Sequence, residues 1–260
     1  MAGAVRFERL DQGARVTLDH AGKLNAMSRA MWRELREGFA ALAVEPGLRW
    51  VLIQGQGGHF CAGGDIAEYP EFRFAEASLR EFHETDVWGG LRAVLDCPVP
   101  VVAAIEGNCM GAGLEIAACC DIRIAGTSSR FGAPIAKLGF PMAPREAELV
   151  AAQVGETTAR AMLLEAAVFD APALLARGFL SHMVDDARVL AEAEVTVQRV
   201  ASLAPGAARL NKRILHALRG GASAAQLTAS AAAYAWADSH EHREGVAAFL
   251  EKRKPDFSVS

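Results

Sequence analysis

The sequence predicts an α/β fold with a helical C-terminal portion, and three observations carry this prediction. Short β-rich runs alternate with helical stretches up to about residue 186. Within that part, a strand followed by a glycine-rich turn and a helix-compatible stretch occurs twice. From about Ala187 onward the strand signals stop, and Ala, Leu and Glu dominate. We therefore expect an α/β core over 1–186 and a helical portion over 187–260.

The individual elements follow from their residue patterns. The clearest helix is predicted over 28–44, because Ser28 can cap its start and Pro46-Gly47 can end it. Apolar residues recur within this helix at intervals of three or four, which indicates a buried face: Met31, Leu35, Phe39 and Leu42. Strands are predicted at residues 15–18, 50–53, 99–105 and 122–124.

The composition is that of a globular protein, with 52% hydrophobic and 22% charged residues among 260. The 27 basic and 31 acidic residues give a net charge of −4 without long charged blocks, which argues against a nucleic-acid or polybasic membrane binder.

No apolar run approaches the roughly 18 residues of a membrane-spanning helix. Charged residues within 1–11 leave no room for the apolar part of an export signal. The five cysteines show no C-x-x-C spacing, so we expect a cytoplasmic enzyme with reduced thiols and no metal site.

Two glycine-rich turns hold the candidate chemistry. The first is Cys-Ala-Gly-Gly-Asp at 61–65, and the second is Met-Gly-Ala-Gly-Leu-Glu at 110–115. Such a turn at a helix start leaves backbone N–H groups without intrahelical partners, and these groups attract negative charge. Two such turns that face each other can hold one oxyanion between two N–H donors. Gly64 and Ala112 are small enough to let a substrate approach these donors closely.

Glycine-rich turns also occur in nucleotide-binding and hydrolase motifs. A dinucleotide-binding site is disfavoured, because Ile116 stands where the third glycine of G-x-G-x-x-G is required, and Gly55-x-Gly57 runs into Phe60. The sequence contains neither a phosphate-binding G-x-x-x-x-G-K-[ST] loop nor a G-x-S-x-G nucleophile elbow. The alternative that both turns are only tight connections stays open at this point.

Glu115 is the candidate for proton transfer. It follows Ala112 by three residues and lies in an otherwise apolar stretch at 114–120, so a helix there would bury its carboxylate. Burial raises the pKa of a carboxyl group toward the range that is useful for proton transfer. A structural carboxylate that pairs with Arg123 or caps the turn is the alternative.

Six segments, taken in their order and spacing, resemble the enoyl-CoA hydratase/isomerase, or crotonase, superfamily. They are KLNAM at 23–27, FCAGGDI at 60–66, GNCMGAGLEI at 107–116, CDIRIA at 120–125, FGAP at 131–134 and GVAAFLEKRKP at 245–255. The resemblance covers nearly the whole chain. It implies a spiral of repeated ββα units, with C-terminal helices that drive homotrimers or dimers of trimers.

The same resemblance implies an acyl-CoA thioester substrate, with coenzyme A entering as part of it and no separate cofactor. The thioester oxygen would lie between the N–H groups of Gly64 and Ala112, and the first of the two glutamates of the hydratases falls on Glu115. Asp65 resembles a structural aspartate at a helix start. The positions implied to contact substrate are Lys23, Ala62, Gly111, Ile135, Phe249 and Lys252. Of these, the last two match positions that reach the coenzyme bound by a neighbouring subunit.

The chain departs from the family pattern where the second glutamate is expected, because Ile135 stands there. Ala67 also occupies a position at which many relatives carry a lysine. A glycine-rich family segment is matched by Met-Ala-Pro-Arg-Glu at 142–146. Glu146 or Glu148 could supply a replacement carboxylate, although charges in the first turn of a helix are more often solvated.

The remaining histidine candidates do not replace the second glutamate, because His59, His240 and His242 are expected at the surface. We expect an enoyl-CoA hydratase or dehydratase that uses Glu115. The alternatives are an isomerase or decarboxylase that uses Glu115 alone, and a catalytically silent acyl-CoA binding protein. The acyl group is not encoded in residues 69–95, whose aromatic side chains suit an apolar acyl chain or ordinary packing: Phe72, Phe74, Phe82 and Trp88.

Overall fold

The computed structural model describes residues 2–230 and 232–257 and has a mixed α/β architecture. The strands in this part are β1 (Ala4–Arg9), β2 (Gly13–Asp19), β3 (Trp50–Gly55), β4 (Val101–Ile105), β5 (Asn108–Met110), β6 (Ile122–Gly126), β7 (Arg130–Gly132), β8 (Val168–Asp170) and β9 (His182–Val184). One sheet has the order β1-β2-β3-β4-β6-β9, and a smaller sheet has the order β5-β7-β8. β1 and β2 pair antiparallel, whereas the neighbours from β2 to β9 pair parallel.

Helices connect the parallel strands, as such strands require. The α-helices of the described residues are α1 (Arg29–Ala43), α2 (Glu76–Glu81), α3 (Trp88–Leu95), α4 (Ala112–Cys119), α5 (Pro144–Val154), α6 (Glu156–Leu164), α7 (Ala171–Ala176), α8 (Val189–Ala201), α9 (Pro205–Arg219), α10 (Ala224–Thr228) and α11 (His240–Leu250). Short 3₁₀ helices span Ile66–Glu71, Ile135–Leu138, Asp186–Arg188 and Ala235–Asp238, and a π-helical turn spans Phe82–Val87. These elements confirm the predicted α/β fold.

The start and the buried face of α1 agree with its sequence pattern. The Ser28 hydroxyl accepts a hydrogen bond from the Met31 backbone N–H at 3.2 Å, which satisfies one of the donors that a helix start leaves free. The predicted apolar face is buried, and Trp32 extends it: Met31, Trp32, Leu35, Phe39 and Leu42. The helix packs through this face against α3, β1 and the π-helical turn.

The large sheet is buried on both faces, so that alternate residues of its strands enter two different cores. On β3, Val51 and Ile53 join the larger core with α1, α3 and α4, whereas Trp50 and Leu52 join a smaller core on the opposite face. α8 closes the smaller core with Val189, Ala193, Val197 and Val200. The first α-helix of the predicted C-terminal portion is therefore attached to the sheet.

The repeated strand, turn and helix arrangement is present in both places, with a difference in the first. β3 leads to the turn at 61–65 and then to a 3₁₀ helix, Ile66–Glu71, which contains Pro70 and has Asp65 as its cap. β4 leads through β5 to α4. The two turns touch, because Cys61 pairs with Cys109 in a parallel bridge, and the Met110 N–H donates to the Cys61 carbonyl at 2.9 Å. This pairing brings the two candidate donors to one place.

After β9, the elements within residues 185–230 and 232–257 are helical. Lys212 anchors α9 to the core, where its buried ammonium donates to the Val99 carbonyl at 2.9 Å and pairs with Asp121 at 2.7 Å. The chain's five cysteines are free and buried, as expected. Across residues 2–230 and 232–257, no helix has both the length and the apolar character to cross a membrane. Whether 187–260 forms a separate portion stays a prediction.

Candidate active site

A cavity of about 180 Å³ lies where the two glycine turns meet α4, α5 and the π-helical turn. Its wall is mostly apolar, and its titratable side chains are Tyr69, Arg73, His83, Glu115 and Glu146. An apolar cavity with a few convergent polar groups is the common form of a small-molecule site. In the part of the chain that the structure describes, no group of three or more His, Cys, Asp or Glu side chains is arranged to hold a metal ion.

The first turn holds the Gly64 N–H free by pairing the groups on either side of it. The Met27 N–H donates to the Gly63 carbonyl at 2.8 Å, and the Asp65 N–H donates to the Met27 carbonyl at 2.8 Å. Gly63 has φ +122°, a conformation that only glycine adopts easily. A Cβ on Gly64 would lie 2.2 Å from the Tyr69 Oη. Glycine is therefore required at both positions, for different reasons.

The second turn starts α4. Gly111 has φ +46° and donates its N–H to the Gly132 carbonyl at 2.8 Å, and the helix begins at the next residue, Ala112. The N–H of the first helical residue has no intrahelical acceptor. A Cβ on Gly111 would lie 3.6 Å from Gly63 Cα, so the backbones of the two turns are in close contact. The Ala112 N–H is thus free at the positive end of the helix dipole.

Gly64 and Ala112 therefore present two N–H groups to the cavity that both residues line. Within residues 2–230 and 232–257, neither N–H has a hydrogen-bond acceptor in the protein. Leaving two such donors unsatisfied costs free energy unless water or a ligand occupies them. This arrangement can hold a partial or full negative charge on one oxygen atom.

Glu115 lies in the first turn of α4 and faces the same cavity. Burial raises the pKa of its carboxyl group to about 8, and the negative charge of Glu146 adds to the rise, whereas Arg73 opposes it. The carboxyl group is therefore predominantly protonated at neutral pH and can release a proton to a basic substrate atom. The expectation that burial would raise this pKa is confirmed. Arg123, the alternative partner, instead hydrogen-bonds to backbone carbonyls of Phe179, Ala117 and Cys120.

Arg73 is a cavity residue that the sequence analysis missed. Its guanidinium stacks on the rings of Tyr69 and Phe140, 4.2 Å from each ring centroid. The two cation–π contacts hold the positive charge of Arg73 at the cavity wall, where this charge lowers the pKa of Glu115. A lone arginine in an aromatic segment has no motif that would single it out, because two rings from different segments define its position.

Glu146 is buried in the cavity wall, and the expectation that it is solvated is wrong. Its side chain is 3% exposed and accepts a hydrogen bond from the Nδ1 of His83 at 3.0 Å. Glu148, two residues along α5, is exposed as expected. The helical phase explains the difference, because Glu146 shares its face with the buried Leu149 and Val150, three and four residues further on. The spacing of three and four residues from Leu149 and Val150 is the sequence feature that indicates burial of Glu146.

His83 was also missed. It lies in the π-helical turn Phe82–Val87, and its partner Glu146 is 63 residues away along the chain. A π-helical turn is rare and often marks a functional site. His59, by contrast, uses its Nδ1 to accept from the Asn108 N–H at 3.2 Å, which is a structural contact beside the second turn.

Three of the positions implied to contact substrate line the cavity: Ala62, Gly111 and Ile135. Ile135 begins the 3₁₀ helix Ile135–Leu138 and is partly exposed. Its place in the cavity is therefore apolar, and no carboxylate stands where the hydratases that the chain resembles carry their second glutamate.

Lys23, Phe249 and Lys252 lie away from the cavity wall. The Lys23 ammonium pairs with the Asp65 carboxylate at 2.5 Å, and this same carboxylate caps the 3₁₀ helix after the first turn through the Ala67 N–H. Phe249 is the last residue but one of α11 and is 83% exposed, and Lys252 lies in the exposed turn that follows the helix. Contact of the last two with a coenzyme on a neighbouring subunit stays a prediction.

The aromatic residues of 69–95 divide into different environments. Phe82 lines the cavity and packs against Phe72 with 4.7 Å between ring centroids. Phe74 is 86% exposed, and Trp88 stacks under the guanidinium of Arg145. Phe82 therefore belongs to the cavity wall, whereas Phe74 faces solvent.

Comparison with known proteins identifies the family. A sequence model of the family described as enoyl-CoA hydratase/isomerase matches residues 11–259. The chain belongs to the enoyl-CoA hydratase/isomerase family. It is therefore an enzyme of this family, and the resemblance of its motifs to the crotonase superfamily is confirmed.

Relatives of this enzyme share nearly its full length. The protein named "probable enoyl-CoA hydratase" of Mycobacterium bovis is 30% identical over 244 residues, which are 94% of this chain and 93% of that protein. The 2,3-dehydroadipyl-CoA hydratase of Escherichia coli is 29% identical over 243 residues, 93% of each chain. The crystal structure of an enoyl-CoA hydratase/carnithine racemase from Magnetospirillum magneticum has a TM-score of 0.93 at 33% identity and covers 100% of this chain and 97% of its own. These likenesses confirm the crotonase fold.

Proposed function

We propose that this enzyme adds water to the double bond of a 2-enoyl-CoA thioester and catalyses the reverse dehydration. The observation that carries the proposal is one cavity wall that holds the free N–H groups of Gly64 and Ala112, with Glu115 one helical turn beyond. The relatives named as enoyl-CoA hydratases support the same class of reaction.

The two N–H groups would stabilise the charge that hydration creates. When water adds at the β-carbon, the electron pair of the double bond moves toward the thioester oxygen and forms an enolate. An oxygen held between Gly64 and Ala112 would receive two hydrogen bonds and the field of the α4 dipole. These groups are positioned before substrate arrives, because the pairing of the two turns fixes them. Donors of this kind are each worth about 10²–10³ in turnover.

Glu115 would complete the reaction by giving its proton to the α-carbon of the enolate. Proton transfer from Glu115 to the α-carbon agrees with the pKa of this carboxyl group, about 8, since the neutral acid predominates at pH 7. In the dehydration direction the carboxylate would take the same proton back. The cavity supplies the burial that raises this pKa, so the fold and the proton transfer depend on the same contacts.

The decisive experiment is to measure crotonyl-CoA hydration together with thioester binding. We expect loss of the ultraviolet absorbance of the enoyl thioester, and saturable calorimetric binding of acetyl-CoA that weakens with salt, because the coenzyme phosphates contribute to recognition. Free crotonate should bind far more weakly. Binding without turnover of crotonyl-CoA, 3-enoyl-CoA or malonyl-type thioesters would indicate a silent binding protein, and isomerisation or decarboxylation alone would replace hydratase with the corresponding enzyme.

We further propose that the enzyme is a homotrimer or a dimer of trimers. Apolar side chains of the C-terminal helices are exposed in the single chain, among them Leu215 at 65%, Phe249 at 83% and Leu250 at 73%. Exposed apolar surface of this kind marks interaction sites. Sedimentation equilibrium should give three or six times the mass of the chain. A Phe249→Ser variant should raise the KM for crotonyl-CoA if this ring contacts the coenzyme of a neighbour, and a monomeric wild type with full activity would contradict the proposal.

A further inference from the structure

The hydration proposed above needs a group that takes a proton from water, and Glu115 does not supply it. Glu115 is mostly protonated at neutral pH and is assigned to the α-carbon. The family's second glutamate position holds Ile135, which has no acid or base. The cavity wall contains one further arrangement suited to proton transfer, namely the His83 and Glu146 pair.

The hydrogen bond between these residues sets the chemistry of the imidazole ring. An ionised carboxylate only accepts hydrogen bonds, so Glu146 accepts from the Nδ1–H of His83 at 3.0 Å. The proton on Nδ1 leaves Nε2 as an acceptor in the neutral ring. In the part of the chain that the structure describes, Nε2 has no hydrogen-bond partner in the protein. The His83 side chain is 20% exposed and lines the cavity.

Both residues are held by packing, which fixes the ring. Glu146 is 3% exposed on the inner face of α5, and α5 packs against α4, which carries Glu115. His83 stands in the π-helical turn, which packs against α1 and α3, and its ring meets the edge of Phe82 at 5.1 Å. Both residues therefore line the cavity on elements that lie outside the two glycine turns.

We infer that His83, oriented by Glu146, is the general base that activates water in this enzyme. The inference rests on the proposed function and deepens it. His83 Nε2 takes a proton from water while the water oxygen bonds to the β-carbon and the double-bond electrons move to the thioester oxygen. Glu115 then gives its proton to the α-carbon, and a proton passes from His83 back to Glu115 to restore both groups. His83 is the catalytic residue, and Glu146 is a positioning residue.

Charged groups near the pair are mostly paired with one another. Asp86 of the π-helical turn is bound by Arg29 and Arg33 of α1, and Glu84 pairs with Arg145 of α5. Glu81 of α2 lies 3.9 Å from Arg29, and Arg92 of α3 pairs with Asp96. Glu115 and Arg73 line the same cavity. Glu146 is the charged group bonded directly to the ring, so its removal should lower the rate of hydration more than removal of the paired charges on α1, α2 and α3 would.

Two reactions separate this inference from the proposed function. Hydration of crotonyl-CoA needs the two backbone N–H donors, Glu115 and the His83–Glu146 pair. Exchange of the α-protons of butyryl-CoA with deuterated water needs only the two N–H donors and Glu115. His83→Gln should lower the kcat of hydration by about 10²-fold or more and leave exchange, followed by NMR, within a few fold. Glu146→Gln, which keeps a hydrogen-bond acceptor but no charge, should lower hydration by about tenfold, within the range for general base catalysis. Glu148→Gln, on the exposed face of the same helix, is the matched control and should change neither rate.

The split between kcat and KM distinguishes catalysis by His83 from a merely structural role. In both His83→Gln and Glu146→Gln the loss should appear in the kcat of hydration, and the KM for crotonyl-CoA should stay within a few fold of the wild-type value. Thermal unfolding and butyryl-CoA binding report whether each variant is folded. Unchanged hydration in a folded His83→Gln variant overturns the inference, as does equal loss of hydration and exchange. Absence of both reactions in the wild type would instead contradict the proposed function itself.

Discussion

Replacing Glu115 with glutamine is expected to lower the turnover of crotonyl-CoA by about 10²-fold or more while thioester binding stays within a few fold. Glutamine keeps the size of the side chain but cannot give a proton to the α-carbon of an enolate. The loss should appear in kcat, because the interaction is made in the transition state, and α-proton exchange of butyryl-CoA should be lost with it. Steady-state kinetics and calorimetry measure the two quantities.

The matched control is Glu148→Gln, which changes the same functional group on the exposed face of α5. Normal turnover in a folded Glu115→Gln variant would make Glu115 a structural residue. The buried Glu146 would then become the first alternative, since its charge acts on Glu115 across the same cavity.

The pKa of Glu115 supplies a second readout of the same prediction. Its rise from 4.5 to about 8 means that kcat/KM should fall as the pH rises through about 8 and the acid is lost. The folded state also holds this proton more tightly than the unfolded state does. The contribution to the free energy of unfolding is therefore fully present below about pH 4.5 and is lost as the pH rises through about 8. Glu115→Gln should remove both dependences.

Local periodicity explains why most of the fold could be predicted from the sequence. The capping serine and the apolar spacing of α1 depend on residues within one or two turns, and they agree with the structure. Glu115 was found for a similar reason, because a carboxylate in an apolar stretch is conspicuous without any partner. The two N–H donors also follow from local chemistry, since glycine-rich turns at helix starts leave such groups free.

The part of the cavity wall that His83 and Glu146 form could not be predicted from local patterns. Glu146 looked like an ordinary charge in the first turn of a helix, and only its phase relative to Leu149 and Val150 placed it inside. His83 meets Glu146 across 63 residues and stands in a π-helical turn, which has no hydrophobic period of its own. Long-range pairing of this kind depends on how α5 is placed against the π-helical turn, which a single sequence does not state.

Replacing Gly64 with alanine is expected to lower kcat/KM for crotonyl-CoA by about 10²-fold, the cost of one misplaced oxyanion donor. The new Cβ would lie 2.2 Å from the Tyr69 Oη. Tyr69 cannot withdraw easily, because its ring packs edge-on against Phe82 and Phe140 and lies under Arg73. The turn must shift instead and carry the Gly64 N–H away from the substrate oxygen. Gly220→Ala, whose Cβ would meet nothing nearer than 3.5 Å, controls for the substitution itself.

Removing the Tyr69 hydroxyl should restore much of the lost activity. Such a recovery would distinguish a misplaced N–H donor from a general disturbance of the fold. In a Tyr69→Phe background the hydroxyl is absent, and the next ring atom lies 3.2 Å from the added Cβ, a contact that a shift of a few tenths of an ångström relieves. We therefore expect the double variant to recover at least about tenfold in kcat/KM over Gly64→Ala, part of the value of one such donor. Tyr69→Phe alone is the reference for this comparison. Full activity in Gly64→Ala, with the protein folded, would show that the Gly64 N–H does not contact the reacting oxygen, and failure of the double variant to recover would place the damage elsewhere in the turn.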